Sequence, residues 1–227
     1  MIPKMVKNTA SSRVLVAGAT GLIGRALVAQ LLSQVPPPQV HALVRRPPTA
    51  ADAHVQWQAV DFTRLPTLPA AQQAYCCLGT TIRQAGSQAA FRAVDFDAVL
   101  AFAQAARAAG VRHFAVVSAL GASPRAVGFY NRVKGEMEQA VAGLGFNSVL
   151  IARPSLLAGD RGALGQPPRT AERLALWLTA PVAGLIPAGV RPIKAEVVAR
   201  AMIQASRAPQ PGVHIAESGE LQHLGAE

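Results

Sequence analysis

Tyr130 and Lys134 stand four residues apart at the head of a predicted helix, so both side chains fall on one face. A free phenol ionises at about pH 10 and exchanges protons sluggishly near neutrality, whereas a nearby ammonium stabilises phenolate and brings that value down. Ser118 ends a predicted strand upstream, at the sheet edge where a reacting carbonyl would sit, with a hydroxyl able to hydrogen-bond its oxygen. Ser118, Tyr130 and Lys134 together read as an acid–base site. A Tyr-x-x-x-Lys pair alone also arises as a half-buried tyrosine beside a surface lysine, and it is the company the pair keeps that favours chemistry.

That company begins at Gly18, Ala19, Thr20, Gly21, Leu22, Ile23 and Gly24, which follow the apolar run 14–17 and open an amphipathic segment at Arg25. This is a strand, a glycine-rich turn and a helix start. Glycine is wanted for the tight turn, for close approach of backbone amides to a pyrophosphate, and for packing of helix on strand. The helix start adds unpaired N–H groups and the positive end of its dipole, so the expected ligand is a dinucleotide. After the second strand the chain reads Val44, Arg45, Arg46, with no acid for a ribose 2′-hydroxyl and two arginines for a 2′-phosphate. NADP(H) is therefore expected over NAD(H), solvated loop arginines being the alternative. Asp61 and Phe62 follow the third strand, and Leu78, Gly79, Thr80 and Thr81 the fourth, at the edge where ligands bind in this architecture. A plain turn also explains Gly79.

The elements that must position these groups are legible as apolar runs at 14–17, 40–44, 55–60, 74–78, 114–117 and 149–152, alternating with helical patterns. Such alternation predicts a parallel sheet with helices on both faces. The spacing of Phe91, Val94, Ala98, Phe102, Ala105 and Ala109 predicts one helix stopped by Gly110. Val133, Met137, Val141 and Leu144 predict a second over 130–144, and Val197, Val198, Ala201, Met202 and Ala205 a last one, with Glu196 and Arg200 paired on its outer face.

A chain of 227 residues, 51% hydrophobic and 15% charged, suits one domain over 1–227 that folds alone. Its net charge of +10 comes from eighteen arginines and four lysines scattered without aromatic interleaving, which argues against nucleic acid. Polar Asn8, Thr9, Ser11 and Ser12 interrupt anything resembling a signal peptide. The charge-free stretch 174–190 contains Pro181, Gly184, Pro187 and Gly189, which would break a spanning helix, so no integral membrane association is expected. Cys76 and Cys77, neighbours in a predicted strand, point to opposite faces and suggest a reducing compartment, so the expected location is cytoplasmic. No metal is expected. Arg161 and Arg169, in the turn-rich stretch 159–168 and just beyond it, are candidate contacts for an acidic substrate.

The pattern Gly18-x-x-Gly21-x-x-Gly24, Asp61-Phe62, Ser118 and Tyr130-x-x-x-Lys134 resembles the short-chain dehydrogenase/reductase superfamily, of the atypical or extended kind. More narrowly, Cys77 to Thr81, Val94-Asp95, His113-Phe114, Ser118 to Gly121, Val133 to Glu136 and Arg153-Pro154 resemble the Tat-interacting-protein-like oxidoreductases and their bacterial relatives. The resemblance implies a Rossmann-type doubly wound α/β sheet, with 155–227 contributing a short substrate-side extension. It implies NADPH binding, with Tyr130 as acid or base, Lys134 on the nicotinamide ribose, Ser118 orienting the substrate, and Pro154 and Ser155 beside the nicotinamide. Many relatives carry an asparagine in the helix after strand four, where this chain reads Val94, Asp95, Phe96, Asp97. The expected function is NADPH-dependent carbonyl reduction, or alcohol oxidation, of a small molecule. The alternative is an NADPH-binding regulatory or scaffold protein, fold alone not deciding function, and a homodimer is the assembly kept open. A quinone or lipid-like substrate is a third reading, suggested by the apolar stretch 174–190.

Overall fold

The computed structural model describes residues 12–49, 52–158 and 189–226. Expectations resting on 159–168, Arg169 and 174–188 lie outside these residues. Among the described residues, β1 (Arg13–Ala17), β2 (Gln39–Val44), β3 (Val55–Ala59), β4 (Gln73–Cys76), β5 (His113–Val117), β6 (Ser148–Arg153) and β9 (Gly212–Glu217) form one sheet. Its order is β3-β2-β1-β4-β5-β6-β9 and every pairing is parallel. β1 therefore has β2 on one side and β4 on the other, and the chain reverses its direction of winding there. Ligands of open parallel sheets bind at such a switch point, beyond the carboxyl ends of the strands.

The apolar runs are continuous because both faces of the sheet are covered. Along β1, Val14 and Val16 join the core under α1 (Leu22–Leu32) and α6 (Ala195–Arg207), with Leu27, Leu31, Val198 and Met202. Leu15 and Ala17 join the opposite core, under α4 (Val99–Ala108) and α5 (Phe129–Ala142), with Phe102, Phe114, Met137 and Val141. Cys76 belongs to the second core and Cys77 packs against the first, as strand alternation requires, and both are free thiols. Burial pushes the Cys76 thiol up to about 12 and raises Cys77 as well, so neither thiol behaves as a redox-active nucleophile.

One expected helix is not uniform. Between α3 (Gln88–Arg92), which follows the short α2 (Ile82–Ala85), and α4 the chain makes a π-helical turn over Ala93–Ala98. The buried positions then run Phe91, Asp95, Val99, so Asp95 and not Val94 faces inward. The last expected helix is not the last element, because β9 and α7 (Ser218–Leu224) follow it. Arg200 donates to the Gly225 carbonyl at 3.2 Å instead of pairing with Glu196. Of the stretch 155–227, β9 extends the main sheet and α6 covers it, while β7 (Leu157–Ala158) and β8 (Ile193–Lys194) form a separate parallel pair. No helix among the described residues is long and apolar enough to cross a membrane.

Candidate active site

Gly18 leaves β1 with φ +78°, the left-handed region, and a Cβ there would lie 2.5 Å from the carbonyl carbon and oxygen of Cys77. The turn thus folds flat against the end of β4. Its amide partner is Gly21, whose N–H donates to the Gly18 carbonyl at 3.0 Å. A Cβ on Gly24 would lie 2.1 Å from the Gly18 oxygen, whereas one on Gly21 would meet only that oxygen, at 3.4 Å. Gly18 and Gly24 are therefore required by the protein's own packing. Gly21 is not, and it faces outward, where it lines a cavity of about 680 Å³ with Leu22 and Ile23. It also caps α1 without any side-chain acceptor, and no acidic residue stands in the first turn, so the helix dipole is left to act on an incoming anion.

The same cavity is lined by Leu78, Gly79, Thr80, Thr81, Asp95, Ser118, Tyr130, Lys134, Pro154 and Ser155. The β5–β6 ladder continues beyond the strands, with Ser118 N–H donating to Ala152 and Leu120 N–H to Pro154, at 2.7 and 3.1 Å. That extension holds Ser118 and Pro154 side by side. Ser118 is buried and its Oγ has no hydrogen-bond partner, a cost that a ligand oxygen in the cavity would relieve. Tyr130 packs its ring on Phe91, centroids 5.2 Å apart. Arg153 clamps α5 to the sheet through Glu138 at 2.6 Å and reaches Glu217 of β9 at 2.9 Å.

Lys134 is buried, with Nζ 2.7 Å from Asp95 Oδ1 and 3.4 Å from the Val117 carbonyl. Asp95 is fully buried, and its Oδ2 accepts from the Thr80 amide at 2.8 Å. Burial works to lower the ammonium, but the Asp95 carboxylate and Tyr130 outweigh it and hold Lys134 above the ordinary lysine value. Asp95 was not among the site residues expected from the sequence; its signal is an acid in the middle of an apolar helical stripe.

Eight expected residues do not line this cavity: Gly18 and Gly24, which pack the turn, Ala19 and Thr20 beside them, and Arg45, Arg46, Asp61 and Phe62. Arg45 and Arg46 are exposed at the end of β2, just before Pro48 and Thr49, which line a second cavity of about 440 Å³ with Ala19, Thr20, Arg25 and Trp57. Arg25 Nε donates to the Thr20 carbonyl at 3.0 Å there. Asp61 accepts from the amide and hydroxyl of Thr63, both at 2.8 Å, and caps a turn, while Phe62 is buried in the core under α4 and α5. β3 lies at the sheet's outer edge, two strands from β1, which accounts for their distance from the crevice between β1 and β4.

Residues 18–165 match the family described as NAD(P)H-binding. The chain is 33% identical to Protein HTATIP2 of Rattus norvegicus, over 94% of this chain and 89% of that protein. It is 32% identical to the protein fmp52, mitochondrial, of Aspergillus fumigatus, over 86% of each. Among solved structures, MoeE5 in complex with UDP-glucose and NAD superposes with a TM-score of 0.69, at 19% identity over 95% of this chain and 81% of that one. The expected cytoplasmic location is corrected by the fungal relatives, whose names carry a mitochondrial location. Two adjacent free cysteines fit a reducing compartment but do not distinguish the cytoplasm from the mitochondrial interior. With the family match and a relative matched over most of both chains, the chain belongs to the NAD(P)H-binding family that includes HTATIP2 and FMP52 proteins.

Proposed function

We propose that the protein is an NADPH-dependent oxidoreductase that reduces the carbonyl of a small molecule, or runs the reverse oxidation, with Ser118, Tyr130 and Lys134 as its reacting groups. The observation that carries this reading is the buried, unpartnered Ser118 hydroxyl on the cavity that Tyr130, Lys134 and the glycine turn also line. A dinucleotide fits: Gly21, Leu22 and Ile23 would take the pyrophosphate, Leu78 to Thr81 the middle of the molecule, and Pro154 and Ser155 the nicotinamide end. When bound, the nicotinamide supplies hydride chemistry. Ser118 donates a hydrogen bond to the substrate oxygen and fixes it beside Tyr130. Tyr130 gives its phenolic proton to that oxygen as the carbonyl carbon is reduced, and the Lys134 ammonium stabilises the phenolate left behind.

Arg45 and Arg46 support NADPH over NADH, since the end of β2 offers two guanidinium groups and no carboxylate in that tripeptide. NADPH is expected to raise the melting temperature more than NADH at equal concentration. Replacing both arginines by alanine should weaken NADPH about 10- to 100-fold and leave NADH nearly unchanged. Calorimetric titration of both cofactors checks this, and equal losses for the two would contradict the assignment.

A further inference from the structure

Three of the large apolar side chains left exposed among the described residues, Ile82, Leu120 and Leu156, line the cavity that Ser118 and Tyr130 also line, each 37 or 38% exposed. Backbone contacts fix their positions. Leu120 lies two residues past Ser118 and its N–H donates to the Pro154 carbonyl at 3.1 Å, while the Leu156 carbonyl, two residues past Pro154, accepts from the Ile193 N–H at 3.0 Å. Ile82 opens α2, which Thr81 caps by accepting from the Gln84 amide at 3.2 Å. The segments after β4, β5 and β6 thus each bring one branched aliphatic side chain to the cavity. Exposed apolar residues scattered singly are ordinary, whereas three gathered on one cavity mark a surface suited to an apolar ligand.

The charges of the cavity point the same way. Among the described residues lining it, the charged side chains are Asp95 and Lys134, and these two pair with each other at 2.7 Å. A carboxylate or phosphate brought against these residues would leave water without a cation of its own to receive it. The buried Ser118 Oγ, by contrast, lacks a partner and can take a neutral oxygen. We propose that the substrate is a neutral aldehyde or ketone with an apolar alkyl or aryl body, its carbonyl oxygen on Ser118 and its body against Leu120, Leu156 and Ile82. This substrate class rests on the oxidoreductase reading above; the fit of an apolar body beside Ser118 does not need turnover. Each methylene that passes from water onto these side chains should tighten binding about three- to fourfold.

Carboxamides present the same carbonyl oxygen and are not reduced by a nicotinamide, so they report the fit alone. In calorimetric titrations of the protein with saturating NADPH, hexanamide should bind about tenfold more tightly than butanamide, which is two methylenes shorter. Adipamic acid, which is hexanamide with its methyl end replaced by a carboxylate, should bind at least about tenfold more weakly than hexanamide. Leu120→Asn and Leu156→Asn should each lower the hexanamide-to-butanamide ratio to about threefold or less, with NADPH affinity within about threefold of wild type. Both side chains are more than a third exposed, so the substitutions spare the core. Should one variant lack a cooperative melt, the other variant and the adipamic acid comparison decide the matter. Equal binding of the two amides, no binding of either, adipamic acid as tight as hexanamide, or an unchanged ratio in the folded variants overturns the proposal. Failure of the oxidoreductase reading looks different: the amides bind as expected, and NADPH is not consumed with hexanal or benzaldehyde.

Discussion

Tyr130→Phe is expected to lose about 10²- to 10⁴-fold in kcat for carbonyl reduction while binding NADPH within about threefold of wild type. The substitution removes one hydroxyl and keeps the ring, so the packing of residue 130 on Phe91 is retained. It removes no polar group from the glycine turn or from the lining between Leu78 and Thr81, which carry the proposed cofactor contacts. Only proton transfer is lost. A protein that used NADPH occupancy as a signal would behave the same with either residue. Steady-state NADPH oxidation over a panel of aldehydes and ketones, set beside calorimetric titration of NADPH, separates the two. Equal turnover in both proteins would remove Tyr130 from the reacting groups.

Gly24→Ala should destabilise the fold, and Gly21→Ala should not. At position 24 the added carbon arrives 2.1 Å from the Gly18 oxygen and 2.8 Å from the Ala19 Cα, both backbone atoms of the turn. The helix must back away from the strand, at a cost of about 1–3 kcal/mol, or about 2–12 °C in melting temperature for a domain of this size. The shifted turn should also bind NADPH at least about tenfold more weakly. At position 21 the new methyl has an ordinary contact at 3.4 Å and otherwise points into the cavity. Its melting temperature should match wild type, with the loss confined to NADPH affinity. Thermal melts with and without NADPH read both effects, and a destabilised Gly21→Ala would mean that this glycine serves packing instead of the ligand.

The contrast between these glycines shows what a sequence can carry. The turn, the six strands with apolar runs and the helix over Phe129–Ala142 are local patterns, and each stands within two or three residues of its expected place. β9 is an edge strand with Val213 and Ile215 nearly half exposed and only Ala216 buried, so it lacks the apolar run that marks the others. Asp61 and Phe62 were expected at the ligand edge because they follow a strand. Which strands flank the crevice depends on the order of pairing, a non-local property, and β3 is the outermost strand. For Asp95 it was the partner, Lys134 on a distant helix, that the local pattern does not give. Asp95 lies four residues after Phe91 and four before Val99, on the same buried face, and an acid there reads as a break in the apolar stripe until the fold brings Lys134 of another helix against it.

A crystal structure with bound NADPH decides whether one cavity brings the dinucleotide to the proton-transfer groups. The pyrophosphate is expected on the amides of Gly21, Leu22 and Ile23, with the nicotinamide ring beside Tyr130, Lys134 and the Ser118 hydroxyl. A nicotinamide ring found away from Ser118 and Tyr130, with the dinucleotide still on the glycine turn, would contradict it.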